Sequence, residues 1–170
     1  MAIDQNGEFW LKGPVSGIIP VLQPAAHAIL QSQKDVLEAI KNFPEALMWH
    51  RPAGVASVSF HLQHLTGVLD RLFTYAKGDQ LSALQLGTLQ KEDKSIRLDN
   101  LLQQFSNQVN IAIEQLKNTK EESVFEIRLV GRKQIPSSIL GLLFHAAEHT
   151  QRHTGQLLVT ARIVSSMASL

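Results

Sequence analysis

The histidines are the residues of this 170-residue chain best suited to chemistry, and their spacing is informative. Five of the seven fall into two groups with helical spacing: His145, His149 and His153 at intervals of four, and His61 and His64 three apart. Side chains four residues apart on a helix lie on one face, so two imidazoles can converge on one metal ion. The isolated His27 and His50 are interpreted as surface or capping residues. The spacing therefore predicts a metal site with ligands from two helices.

The second group of histidines must supply a ligand, because one helix cannot supply three. His145 and His153 lie about 12 Å apart along the helix axis. On a wheel of about 100° per residue, His149 and His153 fall within about 20° of the middle of the apolar stripe, with His145 on its flank. Imidazoles there are costly unless their nitrogens are satisfied. On the other helix, His61 lies nearer the apolar centre than His64, and the residues alone leave both open.

The donor set narrows the choice of ion. The chain has no Cys, which excludes disulfides, thiolate zinc sites, iron–sulfur clusters and cysteine nucleophiles. Three neutral imidazoles with an open position suit Zn, Ni, Cu or Fe better than Mg or Ca, which prefer oxygen ligands. We expect a divalent transition metal, Zn or Ni first, and any thiolate must come from outside the chain.

Charge and hydropathy restrict the partners. Sixteen Lys and Arg balance fifteen Asp and Glu, so no net field attracts nucleic acid or anionic lipid. No stretch approaches the roughly 18 apolar residues of a membrane span, and the N-terminus lacks the pattern of a signal peptide. We therefore expect a cytoplasmic protein with a small-molecule substrate and no nucleic-acid or membrane partner. We also expect a homodimer, because helix bundles often pair through a helix face.

Apolar spacing predicts four long helices that position these histidines. They run from Pro24 to before Pro44, from the N-cap Ser57 to Lys77 with Gly78 as the stop, from 98 to 116, and from after 136–138 to about 164. Residues 124–130 alternate, which indicates one arm of a small β-hairpin between the third and fourth helices. The simplest architecture is an all-α four-helix bundle in one domain over 1–170.

Two segments, 57–72 and 141–157, resemble the DinB/YfiT-like superfamily. The second carries H-x-x-x-H followed by a small residue, Gly and Gln, here His149 through Gln156; the first carries His64 before Leu-Thr-Gly. The resemblance covers nearly the whole chain and implies a four-helix bundle with a divalent metal held by His64, His149 and His153. It thus favours His64 where the wheel favours His61.

The resemblance also implies two function hypotheses. Characterised relatives include thiol S-transferases and isomerases that use bacillithiol or mycothiol, which suggests a metal-dependent transferase or hydrolase. The alternative is a non-catalytic metal-binding or stress-response protein with a structural ion. Four residues are candidates for substrate binding or for orienting a ligand: His61, Arg71 (for an anionic group), His145 and Gln156 (for holding a ligand imidazole). No catalytic base is identified, because Asp70 and Glu148 face away from the ligands on the wheel.

Overall fold

The protein is described here by a computed structural model, which covers residues 7–88 and 93–167. The first six residues, which belong to the segment without a signal-peptide pattern, lie outside these ranges. The principal elements in chain order are α1 (Gln23–Ile40), α2 (Val58–Lys77), α3 (Ala83–Thr88), α4 (Leu98–Lys117), β1 (Ile127–Val130), β2 (Ile135–Ser138) and α5 (Ile139–Met167).

The four predicted helices correspond to α1, α2, α4 and α5, and they form the bundle. The helix α5 packs against α1 and α2, and α4 packs against the same two helices from the other side. The order around the bundle is therefore α1, α5, α2, α4. This confirms the all-α bundle with a small hairpin. The sequence reading did not predict the short α3, which lies after α2 and has no buried residue.

The second helix begins and ends where its sequence predicts. The Ser57 hydroxyl accepts a hydrogen bond from the Phe60 amide at 3.1 Å, which satisfies one of the free N–H groups of the first turn. At the other end Gly78 adopts a left-handed conformation with φ of 92°, which a residue with a side chain disfavours. These two caps fix the rotation and register of α2, and thereby the positions of His61 and His64.

The fifth helix departs from the wheel drawn from sequence. Its fully buried residues include Thr150, Thr154 and Leu157, so the centre of its buried face lies to one side of His149 and His153. Both histidines are half-buried at the edge of that face rather than in its middle. The wheel misplaced the centre because it took Leu142 as the middle of the face, whereas the buried residues Leu143, Ala147, Thr150 and Thr154 all lie to one side of Leu142.

The hairpin connects α4 to α5. Strands β1 and β2 are antiparallel, with Ile127 opposite Ser138 and Val130 opposite Ile135. The predicted strand was too long at its start, because Val124 is buried in a turn that precedes β1. Arg128 ties the hairpin to the end of α2 by donating from Nε to the Ala76 carbonyl at 3.2 Å. The hairpin therefore lies beside the C-terminal end of α2.

Most of the buried hydrophobic residues form one cluster in the centre of the bundle. It draws on every long helix, with Phe73 and Phe105 among its largest fully buried side chains. Within the described ranges, no helix has both the length and the hydropathy to cross a membrane.

Candidate metal centre

Helices α2 and α5 bring four histidines into contact. The Nε2 atoms of His64 and His149 lie 2.9 Å apart, and the Nδ1 atoms of His61 and His153 lie 3.2 Å apart. The rings are also close and tilted relative to one another, since the centroid of His153 is 4.2 Å from that of His64 on α2 and 4.6 Å from that of His149 on its own helix. Each histidine of α2 therefore faces a different histidine of α5.

Three of these histidines form a group that could hold one metal ion. His64, His149 and His153 each offer one ring nitrogen, and these three nitrogens lie within 4.8 Å of one another. These are the three residues that the family resemblance implies. His61 does not belong to the group and is the most deeply buried of the four, with only 3% of its surface exposed. The wheel was thus right that His61 is the more buried of the two histidines on α2.

The donor set fits a divalent transition metal. Imidazole coordinates only through an unprotonated nitrogen, and three such donors without a carboxylate suit Zn or its neighbours in the first transition series. In the described structure Nδ1 of His149 is buried and has no hydrogen-bond partner. A buried nitrogen without a partner is costly, so the cluster is incompletely satisfied by protein atoms alone.

The environment keeps these imidazoles neutral. Burial, followed by the neighbouring His153, lowers the pKa of His61 to about 4. Burial also lowers the pKa of His64 to about 4, with contributions from His153, His149 and Arg71. The pKa values of His149 and His153 are lowered as well, again mainly by burial. At neutral pH the four rings are uncharged, which is the form that binds a metal.

A second group, at the rim, shares one histidine with the first. It contains His145, Glu148 and His149. His145 is exposed, and its Nδ1 lies 3.6 Å from the Glu148 carboxylate. That carboxylate accepts hydrogen bonds from Arg152, which lowers the pKa of Glu148. Glu148 is already paired with Arg152, and both His145 and Glu148 lie towards solvent. This group is therefore the weaker candidate for a metal site.

The edge of the three-histidine group borders a small cavity. Its volume is about 300 Å³, at the lower limit for small-molecule sites. The lining residues come from α2, α5 and the segment after α2: His64, Val68, Arg71, Leu72, Tyr75, Leu81, His145 and His149. Two of the three candidate ligands thus face a space that a small molecule could enter.

Of the other candidate residues from the sequence, some line the cavity and others do not. Arg71 is half-buried and lines the cavity, and His145 lines its outer edge. Gln156 is exposed and does not line the cavity. The isolated His27 instead links the N-terminal segment to α1, with its Nε2 3.0 Å from the Gly13 carbonyl oxygen.

Sequence reasoning missed the apolar wall of the cavity. Tyr75 and Leu81 meet there because the chain turns after Gly78, and no local pattern specifies that meeting. One signal was available, because an isolated glycine inside a helix often marks a close approach. Gly67 is such a residue, and the Arg71 side chain lies against its backbone.

The chain matches a known protein family. The family model of the DinB superfamily matches residues 28–157, which include all four clustered histidines. A search of curated proteins finds no match.

Proposed function

The chain belongs to the DinB superfamily, and on that premise we propose that it is a metal-dependent enzyme of the transferase or hydrolase type. His64, His149 and His153 would hold one divalent transition metal, with Zn or Ni expected first. The observation that carries this proposal is the convergence of their ring nitrogens beside a cavity of small-molecule size.

The protein side chains would prepare the site before any ligand enters. Lowered pKa values keep the imidazoles unprotonated, so no proton must leave before coordination. The contact of His61 with Nδ1 of His153 holds that ring in one orientation. Leu72, Leu81 and the ring of Tyr75 reduce the access of water to the adjacent space. When bound, the ion would supply Lewis acidity, which activates a water or thiol or polarises a carbonyl.

A low-molecular-weight thiol is the cofactor we propose for the transferase reaction. The chain contains no Cys, so it supplies no thiolate of its own. An external thiol would therefore enter through the cavity and reach His64 and His149 there.

The alternative is a stress-response or other metal-binding protein in which the ion is structural. The two functions differ in whether the coordination sphere has a position open to external ligands. The test is the visible absorption spectrum of the cobalt-substituted protein as acetohydroxamate is added. We expect the spectrum to change saturably, because His64 and His149 line the cavity and an open coordination position would face it. An unchanged spectrum would favour the structural ion.

Two further proposals concern the state of the protein in the cell. We propose that two copies pair through a helix face to form a homodimer, and light scattering after size exclusion would measure the mass. We also propose that the protein is cytoplasmic with small-molecule partners, and cell fractionation tests that location.

A further inference from the structure

The metal proposal does not use the Arg71 guanidinium, although Arg71 lines the same cavity. The side chain folds back along α2, so that a Cβ built on Gly67 would lie 2.5 Å from Nη1 and 3.3 Å from Cζ. Helical side chains point towards the N-terminus, and Gly67 is three residues, or about 4.5 Å of rise, from His64. The absence of a side chain at Gly67 therefore lets the guanidinium lie one turn closer to His64.

Among the described residues, no counter-ion for this cation lines the cavity. Within the described part of the chain, Arg71 takes part in no hydrogen bond or ion pair. None of the residues that line the cavity is acidic. Outside this lining, the charge of Asp70 raises the pKa of Arg71, as does Tyr75. Burial lowers the pKa of Arg71, but arginine remains charged in proteins. A half-buried, unpaired guanidinium is costly, and a ligand anion would relieve that cost.

The rest of the cavity indicates the shape of such a ligand. Val68, Leu72 and Leu81 contribute apolar surface to the same cavity that Arg71, His64 and His149 line. A planar guanidinium matches a carboxylate in a bidentate arrangement. With one arginine and apolar surroundings, a monoanion is better satisfied than a doubly charged phosphate.

We propose that Arg71 forms an anion subsite, and that the ligand of this cavity is a small carboxylate with an apolar body. The carboxylate pairs with Arg71, the body packs on Val68 and Leu72, and the opposite end reaches His64 and His149. This proposal rests on the metal-dependent function above, because it assigns the substrate class of the same site.

The first test uses zinc-loaded protein and dicarboxylic acid monohydroxamates of four, six and eight carbons. Each is paired with an analogue whose free carboxylate is replaced by an amide. The hydroxamate end binds the metal, so the pair isolates the contribution of the carboxylate. By calorimetry, we expect the acid of best length to bind about tenfold more tightly than its amide.

Three variants assign that preference. In Arg71→Gln the acid and amide should bind within about threefold of each other, while the zinc content stays unchanged. Gly67→Ala keeps the charge but forces the guanidinium away, so the preference should also fall. The control Arg162→Gln removes an exposed arginine of α5 that does not line the cavity. This variant should keep the preference for the acid. An equal preference for the acid in wild type and Arg71→Gln would overturn the proposal.

The second test needs no metal and separates the two proposals. The Nε–H signal of Arg71 is followed by NMR in metal-free protein as 4-phenylbutanoate or 4-phenylbutanamide is added. We expect a saturable shift with the carboxylate only. If the protein binds no zinc, the proposed function fails, and this titration alone decides the subsite. An Arg71 signal that does not respond to the carboxylate would contradict the subsite even where zinc binds.

Discussion

The Nδ1 atoms of His61 and His153 face each other at 3.2 Å across α2 and α5. Between two neutral imidazoles, one such nitrogen donates a proton and the other accepts it. We propose that this contact holds Nδ1 of His153, so that its Nε2 would bind a metal beside His64 and His149. On that account we expect His61 to be a positioning residue and His64 to be a ligand.

The first prediction separates these roles. His64→Ala should lower zinc affinity by about a hundredfold or more, since it removes a ligand. His61→Ala should cost about tenfold, because His153 loses only the partner that orients it. Zinc titration against a competing chelator measures both.

A conservative variant provides the control. His61→Asn places an amide near the position of Nδ1 and should recover much of the loss. Equal losses in His61→Ala and His64→Ala, without rescue by Asn, would mean that His61 is itself a ligand.

The second prediction concerns the group at the rim. His145→Ala and Glu148→Gln should each change zinc affinity by less than about threefold, because both lie towards solvent and Glu148 is paired with Arg152. The same chelator competition applies, with His149→Ala as the positive control for loss. A loss of about tenfold in either rim variant would place the ion at the rim instead.

The third prediction concerns pH and the metal-free protein. An imidazole titrates near 6.5 when unfolded, whereas the pKa of His61 and of His64 is lowered to about 4 in the folded protein. Between these values the unfolded state binds more protons, so the free energy of unfolding should fall as pH falls from about 6.5 to 4. Each group contributes at most about 1.4 kcal/mol per pH unit. Urea unfolding at several pH values measures the slope.

Carboxylates also titrate at the acid end of this range, so variants are needed to assign the slope. His61→Leu should make this slope shallower, because the variant lacks the buried imidazole that takes up a proton more readily in the unfolded state. His50→Gln, at an exposed position, is the matched control. If His61→Leu has the same slope as wild type between about pH 6.5 and 5, the histidine account of this stability is wrong.

The fourth prediction concerns thermal stability. Zinc that binds only the folded state should add about 2.7 kcal/mol at a free concentration a hundred times its Kd. For a chain of this size that corresponds to a rise in Tm on the order of 5–10 °C. His149→Ala should show little of this rise, and a chelator should reverse it in wild type. An equal rise in wild type and variant would indicate binding elsewhere.

The sequence predicted where the helices begin and end better than which of their faces are buried. Ser57 and Gly78 give local signals, because a side-chain cap and a left-handed residue act within one turn, and both ends of α2 were placed correctly. The buried face of α5 was misplaced, because the wheel was centred on Leu142 whereas Leu143, Thr150 and Thr154, to one side of it, are packed against neighbouring helices. That packing depends on the order of helices around the bundle, which no local pattern specifies.

In the candidate site, too, local spacing was predictable and contacts between helices were not. Spacing on α5 identified His149 and His153, and the resemblance supplied His64. The partner of His61 could not be predicted, because contacts across α2 and α5 depend on the rotation of both helices. The cavity was also missed, since Leu81 reaches it only after the chain reverses beyond α2.

The most direct test of the three-histidine site is the zinc content of reconstituted, desalted protein, measured by elemental analysis in wild type and in the double variant His149→Ala/His153→Ala. Circular dichroism shows whether the variant is folded. The account predicts about one zinc per chain in wild type and less than about a tenth of that in the folded variant. Wild-type protein without zinc, or a folded variant that retains it fully, would contradict the account.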